Sequence, residues 1–325
     1  MTGERRVLTF LVRRTLQAIP LVAGIITLTF ILIHSAPGDP VYLMAGDGGD
    51  AAYYSAMRAR YGLDRPLPEQ YIHYVRSVLS GDFGFSYGYQ QPVFGVIRDR
   101  IPATLALSLP AFAIASILGI VVGLAGAAAR GSRLDVALRL MASTLYSAPV
   151  FWVGQILLLL FAVLIPIFPV GGMRSLREST QASVDPLDLL WHLVLPCASL
   201  SFSFLAIIAR VTRASVIAET RREYVRAARA RGLTPAAVLL RHAVPNALLP
   251  IVTVAGYQVG LLLTSASLTE AVFGWPGLGE LLLDASAQRD YPLIIAILLT
   301  ASIVVVAANV VTDVVYTAFD PRVEV

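Results

Sequence analysis

Four histidines, one cysteine and 21 acids are all the imidazole, thiol and carboxylate side chains in these 325 residues. No pair of His or Cys has metal-ligand spacing, and one thiol makes neither a metal site nor an internal disulfide. Cys197 reads as a small buried hydrophobe, and His34 and His192, near the ends of apolar stretches, read as satisfied structural or interfacial histidines. All 25 basic residues are arginine. The phosphate-binding Gly-rich loop needs a Lys to reach the terminal phosphates, so the chain cannot hydrolyse ATP by that route. The richest local pattern runs through AETRREYVRAARARGLTPAAVLLRHAVPNALLP, where Glu223, Tyr224, Ala227, Ala228 and Gly232 stand among eight arginines from Arg210 to Arg241.

The spacing predicts a helix over Ala218–Arg231, with Glu219 near its start and arginines near its end as the helix dipole favours. Gly232 stops it. Thr234 followed by Pro235 is an N-cap and a first-turn proline, so a second short helix is expected from there to about Ala243. The small face of Ala227, Ala228 and Ala230 beside Glu223 and Tyr224 suits a groove in another protein. The competing reading is an interfacial amphipathic helix whose arginines bind anionic headgroups. That reading leaves the Gly stop and Pro restart without a purpose.

Composition sets the surroundings of this loop. At 57% hydrophobic and 14% charged, the chain is not a soluble globule. Six windows lack Asp, Glu and Arg altogether: Thr15–Ala36, Ala103–Ala129, Leu140–Met173, Leu189–Ala209, Ala243–Thr269 and Tyr291–Thr312. Each is long enough for a bilayer-spanning helix, which needs about 20 apolar residues. They are apolar all round, unlike the alternating strands of a barrel. The expectation is an all-α membrane protein with six transmembrane helices at 15–36, 103–129, 140–165, 189–213, 244–269 and 291–318. Arginines gather in 1–14, after the second span, and in 214–243, so the positive-inside bias makes those segments cytoplasmic, together with the tail 319–325. Both termini then lie inside. The first apolar stretch is too long for a secretory h-region and is read as a retained helix.

Residues 37–102 form the one sizeable hydrophilic insertion, expected outside the membrane after the first helix, with helices over Ala51–Arg60 and Pro68–Leu79. It reads as a cap on the helix ends and a docking surface for an external partner. Within the spans, Gly119 and Gly123 suggest close helix packing. Gln155, Gln258 and Asn309 are the costlier polar residues and candidates for lining a pathway, although interhelical hydrogen bonding is the commoner role. The net charge of +4 carries no nucleic-acid signal.

The loop resembles the EAA motif of permease subunits of ATP-binding-cassette importers, at Glu223, Ala227, Ala228 and Gly232, with Tyr224 and Val225 standing where the strict form has alanines. The resemblance covers nearly the whole chain: HSAPGDP at 34–40, YGLDRPLPEQY at 61–71, GDFGFSY at 81–87, FGWPGLG at 273–279, RDYPL at 289–293 and FDPR at 319–322 are similar to signatures of the dipeptide, oligopeptide and nickel group, B-type subunit. It implies a type I importer permease fold in a bacterial cytoplasmic membrane and half of a translocation pathway for di- or oligopeptides. It also implies a second, C-type permease, two ATP-binding subunits that carry the ATP and Mg, and an extracytoplasmic substrate-binding protein. No cofactor is expected in the chain itself. Nickel-complex or glutathione import remains open within the group. An ion-coupled secondary transporter would instead show intramembrane acids and paired repeats, and a membrane enzyme clustered acids or histidines.

Overall fold

The computed structural model describes residues 3–35, 41, 49–61, 63–86, 88–175 and 185–319, with backbone alone at 3–15, 32, 60–61, 263–264 and 313–319. The Pro-Gly-Asp-Pro stretch at 37–40 and the tail 320–325 lie outside the described residues. Helices dominate. Among the described residues, five helices are long and apolar enough to cross a membrane, at Leu16–Ser35, Val93–Ala128, Pro186–Glu219, Pro235–Leu262 and Tyr291–Thr312, and a bent pair makes a sixth if it is one span.

That pair replaces the single third helix expected at 140–165. Helix α5 (Arg133–Ser147) and helix α6 (Val150–Leu158), which runs on as a π turn over Leu159–Leu164, meet at 101°. The cause is local. A residue before proline is driven out of the helical region, and Ala148, ahead of Pro149, sits at φ −79°, ψ 129°. Charge-free composition marks a span but says nothing about its straightness.

The chain divides into two compact units. The first comprises Met1–Thr104 and Pro276–Ala307. Helix α1 (Gly3–Ser35) is followed by α2 (Ala51–Tyr61) and α3 (Leu67–Ser80), the latter closed by Gly81 at φ 76°. Two-residue strands β1 (Phe85–Ser86) and β2 (Gln91–Pro92) pair antiparallel, with Phe85 opposite Pro92, and lead into α4 (Val93–Ala128). The start of α4 packs through Val93, Val96 and Ile97 on Leu278 and Leu281 of α11 (Leu278–Ala287) and on Leu293 and Ile297 of α12 (Tyr291–Phe319). The buried Asp290 ties the hairpin down. It accepts from the Ser86 hydroxyl at 2.5 Å and the Gly88 N–H at 3.3 Å, and caps α12 by accepting from the Leu293 N–H at 3.3 Å. Helix α3 docks on α1 through Tyr71 and Thr27, Tyr74 and Thr29, and Gln70 and His34.

The second unit comprises Leu105–Trp275 and Ala308–Val325, with α7 (Pro186–Glu219) at its centre against α5, α6 and α10 (Val244–Phe273). Between helices in lipid there is no hydrophobic driving force, so close approach and hydrogen bonds do the joining. Ser199 and Ser201 of α7 donate to the carbonyls of Val150 and Ala111, each at 3.0 Å. Gly123 of α4 crosses α7 so tightly that a β-carbon there would lie 2.5 Å from Thr212 Cβ and 2.6 Å from the Ala209 carbonyl oxygen. Gly119 meets Ile208 in the same way. Cys197 is buried, and His192 Nδ1 lies 2.9 Å from the Asp188 carbonyl oxygen.

Gly123→Ala must push two backbones apart and should cost about 1 to 3 kcal/mol, seen as a lowered unfolding midpoint in detergent. Gly24→Ala, with nothing within 4 Å of the added carbon, should leave that midpoint in place.

Candidate functional site

The loop between α7 and α10 is built from three breaks. The helix expected over Ala218–Arg231 is split: α7 runs on to Glu219, and Arg222 turns extended at φ −69°, ψ 152° before helix α8 (Glu223–Ala230) begins. Arg221 and Arg222 favour helix and Thr220 does not, and burial of the next turn fixes where the helix restarts. Val225 and Ala228, one turn apart on α8, are buried against Val238. A straight extension of α7 would have no such partner to reach.

Gly232 supplies the second break, at φ 80°. Nothing lies within 4 Å of a β-carbon placed there, so glycine is required by the left-handed backbone and not by space. The third break is the restart. Thr234 Oγ1 accepts from the Ala237 N–H at 3.3 Å, and Pro235 occupies the first turn of helix α9 (Pro235–Val238). The restarted helix does not stop near Ala243 as a separate element: it passes through a π turn, Leu239–Ala243, straight into α10. Helix α8 thus rests on the base of α10.

Tyr224 fastens the other side. Its hydroxyl donates to Glu219 Oε2 at 2.7 Å and lies 3.3 Å from the His242 carbonyl oxygen, so one side chain joins the end of α7, the start of α8 and the entry to α10. Burial, and then the hydrogen bond to the Glu219 carboxylate, push this phenol up to about 12. It therefore remains a donor throughout the physiological pH range.

Of the sequence-derived coupling residues, Glu223, Tyr224, Ala227 and Gly232 are exposed along one side of the element, while Ala228 faces inward. Val225 and Val238, the buried partners of Ala228, were missing from that set. Their signal was present in the i, i+3 spacing of Val225 and Ala228. A second omission is Asp135, 1% exposed, which binds Arg213 of α7 through Nε at 2.6 Å and Nη2 at 2.8 Å and accepts from the Gly131 N–H at 3.0 Å. This pair joins the start of α5 to α7 six residues before α7 ends.

The polar candidates within the spans separate. Gln155 on α6 and Asn309 on α12 are exposed, whereas Gln258 on α10 is buried at 6% exposure. The open face of α10 carries Asn246, Thr253 and Tyr257 instead. The side chain of Asp313, which sequence spacing puts on one face with Asn309, is outside the described residues.

The sequence profile of the binding-protein-dependent transport system inner membrane component family matches residues 115–325. The chain belongs to this family. The companion N-terminal profile of the same transport systems matches residues 7–108 of this membrane component. It is 39% identical to the dipeptide transport system permease protein DppB of Escherichia coli (strain K12) over 334 aligned residues, covering 97% of this chain and 98% of the relative. It is 39% identical to the di/tripeptide permease protein DppB of Pseudomonas aeruginosa (strain UCBPP-PA14), with 97% and 98% covered. Identity to the oligopeptide permease protein AppB of Bacillus subtilis (strain 168) is 34%, with 97% and 99% covered. Among solved structures, an inward-facing conformation of the MetNI methionine ABC transporter matches with a TM-score of 0.57 at 17% identity, covering 69% of this chain and 96% of that one. This likeness places the membrane component in the same importer permease fold.

Thr234→Ala removes the cap of α9 and should cost about 1 kcal/mol, while Tyr224→Phe frees α8 from Glu219. Both should increase amide hydrogen exchange across 223–238 without altering exchange in α7 above Arg213. Unchanged exchange in that loop would show that these contacts do not hold it.

Proposed function

We propose that this chain is one permease half of an ATP-driven peptide importer, and that Glu223–Ala230 is where a partner ATPase grips it. The observation that carries this reading is α8 itself: an exposed helix seated by Val225 and Ala228 on the root of α10 and fastened by Tyr224 to the end of α7. An element so joined to two long helices moves them when it is moved. The distribution of arginines supports a cytoplasmic position for this loop, for residues 1–14 and for the C-terminus, and an extracytoplasmic one for 37–102.

In operation, ATP binding draws two ATPase subunits together, α8 follows its subunit, and the bundle formed with a second, C-type permease turns from inward-facing to outward-facing. Hydrolysis resets it. ATP and Mg act on the partner subunits, and an extracytoplasmic binding protein delivers substrate to the outer side, where α3 and the hairpin cover the ends of α1 and α12. The names of the relatives, dipeptide, di/tripeptide and oligopeptide permeases, support a peptide as cargo. Gln155, Asn309 and the open face of α10 are the pathway-facing candidates. Gln258, buried, serves packing.

Glu223→Lys reverses charge on the gripping face, and Gly232→Pro forbids the left-handed turn. Each should leave the four-part complex in the membrane while cutting uptake at least tenfold and leaving ATPase activity no longer stimulated by loaded binding protein. Unimpaired uptake by both variants refutes the lever. Reconstituted complex with its binding protein should show ATPase stimulation by di- or oligopeptides ahead of glutathione or nickel complexes. Stimulation by one of the latter alone assigns the cargo there.

A further inference from the structure

Arg210 ends the uncharged run Leu189–Ala209 of α7. The residues leading to it, Phe204, Leu205, Ala206, Ile208 and Ala209, are buried, and Arg210 is exposed. Three residues on, Arg213 is paired bidentately with Asp135. Among the described residues, no acid pairs with Arg210. Its guanidinium carbon lies 4.8 Å from the ring centroid of Tyr146, a half-exposed side chain near the end of α5. Exposed hydroxyl residues Ser143 and Ser147 bracket that tyrosine on the same helix.

A cation at the edge of a span needs an anion or water. Stacking on an aromatic face satisfies the π surface of the guanidinium and leaves its in-plane N–H fork available, the geometry that binds a carboxylate through two parallel hydrogen bonds. We propose that Arg210, set over the ring of Tyr146, receives the C-terminal carboxylate of a peptide on its way through the permease. The inference rests on the peptide-import reading and adds to it a defined contact. A peptide brings one such carboxylate whatever its side chains, so a single fixed fork serves a mixed set of cargoes. A lipid headgroup offers the same anionic chemistry from another source, and the test separates the two.

The complex, with its binding protein, is reconstituted in vesicles of phosphatidylcholine alone or with one-third phosphatidylglycerol, and uptake of a dipeptide is compared with that of its C-terminal amide. Each variant is read as a ratio to wild type for the same peptide, which cancels the binding protein's own preference. Arg210→Gln should raise KM for the free acid about tenfold, the loss of one charge-assisted pair, and leave the amide unaltered. Arg210→Lys should restore part of the loss. Tyr146→Phe, which keeps the ring, should match wild type, and Tyr146→Leu should fall between.

A second measurement does not depend on transport of the amide. In a Cys197→Ser background, Ser147→Cys is labelled with a membrane-impermeant maleimide, and millimolar dipeptide should slow labelling only when Arg210 is present. Equal loss for both peptides, or labelling indifferent to dipeptide, overturns the proposal. A defect that appears only in the phosphatidylglycerol vesicles assigns Arg210 to headgroups and also overturns it. A wild-type complex that imports no peptide overturns the import reading itself, and this contact with it.

Discussion

Burial of Val225 and Ala228 against Val238 gives an otherwise polar loop a fixed seat. An eight-residue helix rich in arginine does not persist alone in water, because nucleation outweighs so few internal hydrogen bonds. Here it persists because two small apolar side chains are withdrawn from solvent onto the root of a membrane helix. The rest of the element serves that contact: Gly232 reverses the chain, Thr234 and Pro235 restart it, and Tyr224 closes the remaining side with bonds of 2.7 and 3.3 Å. What is left outside is the face another protein can hold.

Much of the architecture can be read from the residues because hydrocarbon enforces it. A chain in lipid must satisfy every backbone group internally, so long charge-free windows become helices almost by necessity. The turn chemistry at Gly232 and Thr234–Pro235 was legible for a similar reason, being local. The bend at Ala148–Pro149 had a visible proline, which marks a break in the helix but not its angle of 101°. The gap at 220–222 had only a weak signal, since Thr220 disfavours helix slightly while Arg221 and Arg222 favour it. Asp135 and Arg213 stand 78 residues apart, and no window of sequence joins them. Gln258 is buried and its neighbour Tyr257 exposed, a difference that a window apolar on every side gives no preferred face to predict.

Small residues and buried hydroxyls take over where hydrophobicity cannot discriminate. Gly119 and Gly123 bring α4 onto α7 at distances a side chain would forbid, and Ser199 and Ser201 fix α7 against the carbonyls of α6 and α4. With α7 held on these sides and the Asp135–Arg213 pair at its far end, it is the part of the second unit least able to shift by itself. Force applied at Glu219 reaches its neighbours through those same bonds.

The π turn at Leu239–Ala243 has a quieter effect. Such a turn holds one more residue than α geometry requires, and one residue subtends about 100° around the axis. The compass bearing of Tyr257, Thr253 and everything beyond is therefore chosen in the loop, before the helix enters the bilayer. Drift in length between 239 and 243, by a single codon, would re-address a whole wall of the fifth span while leaving its composition untouched.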